Sequence, residues 1–329
     1  MVAARRSEFL GLLRLAAPLV LAQLAQNGLS FVDTLMVGRL GAGALAAMAL
    51  GGSFYFTTGV ITSSVLYAVG PVVAQAIGAG RRAEAGHAAS RALWLAVALS
   101  IPGLVIFNAI GPVLVRFGLE PETARLAAGY LRAISFGFPF YLGFAALRGF
   151  LEGHGDARPI MYIAFFGVAL NVVLCEVLIF GHLGFPALGV IGTGYATATV
   201  YTVMFALVAA LVVWRYPRQR VFAGMADVRP RMLGELVRLG WPIAFTTGME
   251  VGLFSLSSLI IARFGDSVLA AHQVAMQSAS MTFMVPLGVA IATGVIVGQA
   301  AGAGDMAKVR RTGFMGIGVA VGFMLCSAT

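Results

Sequence analysis

The sequence predicts an all-α polytopic membrane protein. Three observations carry that reading: a composition too apolar for a water-soluble core, a succession of long apolar runs, and an internal repeat. Of 329 residues, 60% are hydrophobic and 11% are charged, against about 25% charged in an ordinary soluble domain. Mean hydropathy is +0.93. The apolar surplus needs lipid as its solvent. In hydrocarbon each segment must satisfy its own backbone groups, so the runs are expected to be helices. A transmembrane β-barrel would show short alternating segments, and none appear.

The runs lie near 10–37, 46–77, 88–116, 124–150, 159–181, 188–214, 234–264 and 268–298, and a ninth starts near 312. Several exceed the ~20 residues needed to cross a bilayer, so tilted or kinked helices are expected. Basic residues punctuate every second connection. Arg5 and Arg6 precede the first run, and Arg81 and Arg82 separate the second from the third. Arg158 follows the fourth, Arg215, Arg218, Arg220, Arg229 and Arg231 follow the sixth, and Lys308, Arg310 and Arg311 follow the eighth. The alternate connections hold Glu120 and Glu122, His182, and Asp266. The bias of Arg and Lys toward cytoplasmic loops places the amino terminus in the cytoplasm, and the expected location is the cell inner (plasma) membrane. The formal charge of +9 is explained by these loops. No aromatic-basic interleaving accompanies it, so nucleic acid is not an expected partner.

The third observation is the repeat. "APLVLAQLAQNGLSFVDTLMVGRLGAGALAA" at 17–47 aligns with "WPIAFTTGMEVGLFSLSSLIIARFGDSVLAA" at 241–271. Pro18 meets Pro242, Gly28 meets Gly252, Arg39 meets Arg263 and Gly41 meets Gly265, at an offset of 242 − 18 = 224. The same offset places "QAIGAG" (75–80) over "QAAGAG" (299–304), so one shift holds without a gap over about sixty positions, as a duplication requires. The period encloses six spans, and an even number makes the halves parallel repeats. The expected organisation is an amino-terminal bundle at 1–214, a basic cytoplasmic linker at 215–233 and the start of a second bundle at 234–329. A full second copy would end at roughly 450. The expectation is therefore a truncated chain of about eight full spans and part of a ninth. Spans seven and eight would then have lost most of their partners.

Polar residues inside the runs are the candidate site. A charge at a helix centre costs about 2.5–3.5 kcal/mol on insertion scales, and such residues usually face a cavity. Asp33, Glu176 and Glu250 lie inside runs. Gln23, Gln26, Ser30 and Asp33 are spaced 3, 4, 3, which puts them on one helical face beside Asn27 and Thr34. They can form a water-filled cation or proton site, or a polar packing seam; a seam has no need of the acid. Glu250 sits in the equivalent helix, between Thr246–Thr247 and Ser257–Ser258, but aligns with Gln26 rather than with Asp33. Gln273, Gln277 and Ser280 make a weaker stripe that would line a cavity or pack, and Asn171 and Cys175 are one turn apart. Pro18 and Pro242 near the starts of equivalent helices each remove a backbone hydrogen bond, so a hinge at Pro18 is expected. His87, His154, His182 and His272 are scattered, Cys326 reads as a small apolar residue, and neither zinc nor a disulfide framework is expected.

"FVDTLMVGRLGAGALAA", "GPVVAQAIGAGR", "ALRGFLEGHGDARP" and "AAHQVAMQSASMTFMVPLGVAIATGVIVGQ" resemble the multidrug and toxic-compound extrusion (MATE) transporters, in particular their NorM-like branch. The resemblance implies twelve helices in two six-helix bundles, of which the second is incomplete here. It also implies export of organic cations and other lipophilic drugs in exchange for H⁺ or Na⁺. By the same resemblance Asp33 matches the cation-binding acid of the amino-terminal lobe, and Asn171 a polar ligand position. Cys175 stands where that family carries Asn or Asp, and a thiol is a poor ligand for a hard cation. Thr197, in "GYATA", matches a further ligand position and Glu250 the acid of the other lobe. Na⁺ is thus expected, if anywhere, at Asp33 or Glu250. No catalytic residue and no cofactor are expected; the chain reads as a monomeric transporter rather than an enzyme. The rivals are a lipid or oligosaccharide flippase, which would want a basic cavity, and an inactive fragment.

Overall fold

The computed structural model describes residues 2–116, 120–182, 184–223, 230–261 and 266–327. Eleven α-helices run through them: α1 (Val2–Gly38), α2 (Ala42–Leu66), α3 (Val69–Gly78), α4 (Arg82–Arg116), α5 (Pro121–Ser135), α6 (Phe138–Gly153), α7 (Ala157–Phe180), α8 (Val190–Arg215), α9 (Pro230–Ile261), α10 (Asp266–Gly302) and α11 (Met306–Ser327). The described residues contain no strand. Seven helical stretches are long and apolar enough to cross a membrane, or eight when the bent α5–α6 pair counts as one span. The expected seventh span at 234–264 extends beyond the described residues, and its described part is α9.

Prolines explain where the spans break. Pro139 has no N–H to give the carbonyl of Ser135, and α5 and α6 meet there at 47°. Pro71 deprives the carbonyl of Tyr67 in the same way, at the join of α2 and α3. That break is mild, because Tyr67 and Ala68 keep right-handed helical angles and 42–78 still reads as one span. Pro18 differs from the expectation. It lies well inside α1, not near its start, and the helix continues through it.

The interior is packed with small and aromatic side chains, as in lipid, where close contact rather than water exclusion holds helices together. Ala85, Ala88, Ala89 and Ala92 form one buried face of α4. Phe107 and Phe138 meet edge to face with ring centroids 5.0 Å apart, beside Tyr55.

The sequence repeat is also a structural one. Adding 224 carries the start of α4, Arg82, onto that of α11, Met306. It carries Gly80 (φ 75°) onto Gly304 (φ 78°), and the bond Arg81 N–H to Ala76 O (2.8 Å) onto Asp305 N–H to Ala300 O (2.9 Å). The copies meet through these same segments. A Cβ on Gly78 would lie 1.9 Å from the carbonyl oxygen of Gln299, and one on Gly302 would lie 2.1 Å from that of Gln75. Each contact is the image of the other, which marks a pseudo-two-fold axis between α3 and the end of α10. The packing of α1 on α10 is likewise the image of α9 on α2.

One expectation changes here, and the linker gains a structural description. Spans seven and eight are not stripped of partners: α9 lies on α2, and α10 lies on α1, α3 and α11. The first part of the linker is docked on the helices. Val221 is 3% exposed and its carbonyl accepts from the Ser90 hydroxyl. Tyr216 donates to Asp156 (3.1 Å), and the side chains of Gln219 and His154 are 2.8 Å apart. Residues 224–229 of the linker lie outside the described residues.

Candidate functional site

Asp33 projects from α1 into a pocket closed by α7 and α8, and is 6% exposed. The Thr197 hydroxyl donates to its Oδ2 at 2.9 Å. The Cys175 thiol lies 3.4 Å from its Oδ1 and 3.5 Å from Asn171 Oδ1. Asn171 and Cys175 reach the same pocket because they are i, i+4 on α7, one turn apart on one face. Both are fully buried. Asn171 Nδ2 and, one turn before Thr197 on α8, Thr193 Oγ1 are buried without a hydrogen-bond partner. Asp33 is thus a carboxylate shielded from water, in a pocket that also holds an unpartnered amide nitrogen, that of Asn171. The pocket's hard oxygens, on Asp33, Asn171 and Thr197, suit a proton or a small cation. Its sulfur does not suit Na⁺. No group of three or more His, Cys, Asp or Glu side chains converges as a metal site among the described residues.

The remaining expected residues separate. Gln23 and Gln26 belong to another cluster: Arg148 on α6 donates from Nη2 to Gln23 Oε1 and from Nη1 to Gln26 Oε1, both at 2.7 Å. Ser30 is exposed and does not join Asp33 in its pocket. Glu176 points to the helix ends, where Arg39 (3.8 Å) and His182 (3.5 Å) face it. Glu250 and Gln277 are exposed on α9 and α10, and the side chain of Gln273 lies outside the described residues. No second site forms around Glu250 among the described residues.

Sequence reasoning missed Arg148 and Glu152. They form an ion pair at 2.6 Å with each side chain only 11% exposed. With Gln23 and Gln26 they line a cavity of about 250 Å³ between α1, α2–α3, α6 and α10, whose other walls include Tyr67, Tyr141, Leu287 and Ile291. The available signal was the i, i+4 spacing of two opposite charges in "LRGFLEG".

A polytopic bundle with a two-fold repeat and a buried acid on its first helix can be set beside known proteins. The family model MatE matches residues 18–177 and 242–329. The chain belongs to the MatE family. The probable multidrug resistance protein NorM of Deinococcus radiodurans is 41% identical over 323 residues, covering 98% of this chain and 70% of that protein. The multidrug resistance protein MdtK of Edwardsiella ictaluri is 36% identical, covering 98% of this chain and 71% of that one. Among solved structures, a MOP superfamily transporter from Pyrococcus furiosus superposes with a TM-score of 0.85 at 23% identity, covering 97% of this chain and 71% of that one. The eukaryotic MATE transporter AtDTX14 superposes at 0.84 with 20% identity, covering 96% and 70%. Those likenesses establish the fold. The identity to NorM proteins places this MatE chain in the NorM-like branch.

Proposed function

We propose that this MatE chain works as a secondary multidrug exporter, carrying organic cations and other lipophilic drugs outward in exchange for H⁺. The observation that carries the reading is Asp33, a carboxylate sealed between α1, α7 and α8 with a hydroxyl, a thiol and an amide around it. One negative charge in a dry pocket can neutralise a proton or a cationic drug, but not both. Arrival of the ion therefore favours departure of the cargo. The two repeats supply the rocking elements of alternating access. The multidrug resistance names of the NorM and MdtK relatives support the substrate class. Cys175 in place of a hard oxygen ligand favours H⁺ over Na⁺. In this reading the bundles are 1–214 and 234–329, joined by the basic linker 215–233. The amino terminus is cytoplasmic in the inner membrane, and the protein works as a monomer without enzymatic chemistry. The basic residue of the interface cavity, Arg148, is balanced by Glu152, so that cavity is not the cationic chamber a lipid-phosphate flippase would need. The test is export of a fluorescent organic cation from vesicles under an imposed pH gradient. The Asp33→Asn protein should insert normally and lose gradient-driven export; export at the wild-type rate would refute the assignment.

A further inference from the structure

A second cavity, of about 640 Å³, lies at the Arg-rich end of the helices, and its charges are not balanced. Arg14 of α1, Arg158 of α7 and Lys308 of α11 all line it, so each cation comes from a different helix and both repeats contribute. The cavity also holds two carboxylates, each ion-paired to an arginine, although Glu8 Oε2 is buried without a hydrogen-bond partner. Asp156 takes Arg215 at 3.0 Å and Glu8 takes Arg311 at 3.2 Å. Among the described residues no ion pair is formed by Arg14, Arg158 or Lys308. Three like charges around one space repel one another unless an anion sits among them. The position fits a membrane headgroup, since Arg158 opens α7 and Arg215 closes α8. Deeper in, Leu15, Pro18 and Ile296 give the cavity an apolar floor.

We propose that this cleft is a binding site for a phosphate-bearing anion, presented either by an anionic phospholipid headgroup or by free phosphate. Basic pockets between transmembrane helices hold such headgroups elsewhere, and the apolar floor accommodates the start of an acyl chain. The bound anion joins α1 and α7 of the first repeat to α11 of the second. It therefore clamps the two halves at this end, a regulatory contact separate from the Asp33 pocket.

The purified chain in detergent, titrated with phosphatidylglycerol and with phosphatidylcholine of the same acyl chains, tests this by native mass spectrometry. The wild type should retain one phosphatidylglycerol at least about tenfold more tightly than phosphatidylcholine. Arg14→Gln, Arg158→Gln and Lys308→Gln should each weaken it about fivefold, the equivalent of about 1 kcal/mol per surface cation. The triple variant should lose the preference. Competition with inorganic phosphate separates the sources: displacement at millimolar phosphate identifies a free-anion site, and resistance identifies the lipid. Equal retention of the two lipids, or an undiminished preference in the triple variant, overturns the proposal. Should the triple variant fail to fold, Arg158→Lys must keep the preference and Arg158→Glu must lose it; the reverse pattern also overturns it.

Discussion

Gly302→Ala is the sharpest probe of the two-fold contact. The new Cβ would start 2.1 Å from the carbonyl oxygen of Gln75, and real Cβ contacts essentially never fall below 3.0 Å. The obstacle is backbone, so no side chain can swing aside, and α3 and α10 must part by about 0.9 Å (3.0 − 2.1). Overpacking of this kind costs about 1–3 kcal/mol. It is offset in part by the helix preference of alanine over glycine, about 0.5–1 kcal/mol. Gly78→Ala makes the mirror clash, from 1.9 Å, and should cost a similar amount. The double substitution should cost less than the sum, because helices already parted for one methyl have room for the other. Gly318→Ala on α11 meets nothing within 4 Å and serves as the control. Denaturant unfolding of the detergent-solubilised protein, with intramolecular thiol cross-linking between the segments as a second readout, measures all four. If the single variants are as stable as Gly318→Ala, or if their costs simply add, the reciprocal contact is not holding the halves together.

Further expectations concern the polar sites. Export should follow a pH gradient and ignore Na⁺, whereas Cys175→Asp, which restores a hard oxygen beside Asp33, should make it Na⁺-dependent; a variant indifferent to Na⁺ in the same vesicle assay would refute the ligand argument. Arg148→Ala leaves Glu152 buried and unpaired and should destabilise the fold by about 3–5 kcal/mol, while Arg148→Met with Glu152→Leu should cost far less; equal losses in denaturant unfolding would refute this. Burial holds His154 below its usual 6.5, against the opposing pull of the Phe150 carbonyl and Asp156. Since the folded value is the lower one, this contribution is complete above about pH 6.5 and is lost as pH falls through the folded value. Hydrogen exchange in 216–223, corrected for its intrinsic pH dependence, should therefore rise from pH 7.5 to 5.5, and His154→Gln should abolish that rise.

The helices and their repeat were legible because lipid imposes a simple rule, one apolar run per span, and a duplication preserves spacing. Asp33 was legible for a related reason, since a lone acid in an apolar run needs a cause. What periodicity could not supply was the partner of each face. Gln23, Gln26 and Asp33 share a stripe on α1, but α6 covers one end of it and α7 with α8 the other. The stripe therefore serves two clusters. Arg148 and Glu152 escaped notice because a charged pair near the end of a run looks like a loop until a neighbouring helix is seen to bury it. The docked linker was hidden for the same reason: Gln219 and Val221 look like ordinary loop residues, and only α4 and the α6–α7 turn reveal their partners.

The repeat is kept where the halves touch and has diverged at its interior acids. Gln75 and Gln299, Gly78 and Gly302, and Gly80 and Gly304 are the same residues in equivalent places, and the first four make the contact at the axis. Asp33, by contrast, has Ser257 as its image, and Gln26 has Glu250. A contact made twice, by two-fold-related glycines against two-fold-related carbonyls, fails or holds as a unit, since parting one pair parts the other. Symmetry is useful for a joint that must open in one step. Among the described residues the buried acids, Asp33 and Glu152, lie in the first repeat, and Glu250 is exposed. Under the proposed mechanism Asp33 exchanges proton for cargo, and the two-fold joint carries that exchange to both halves.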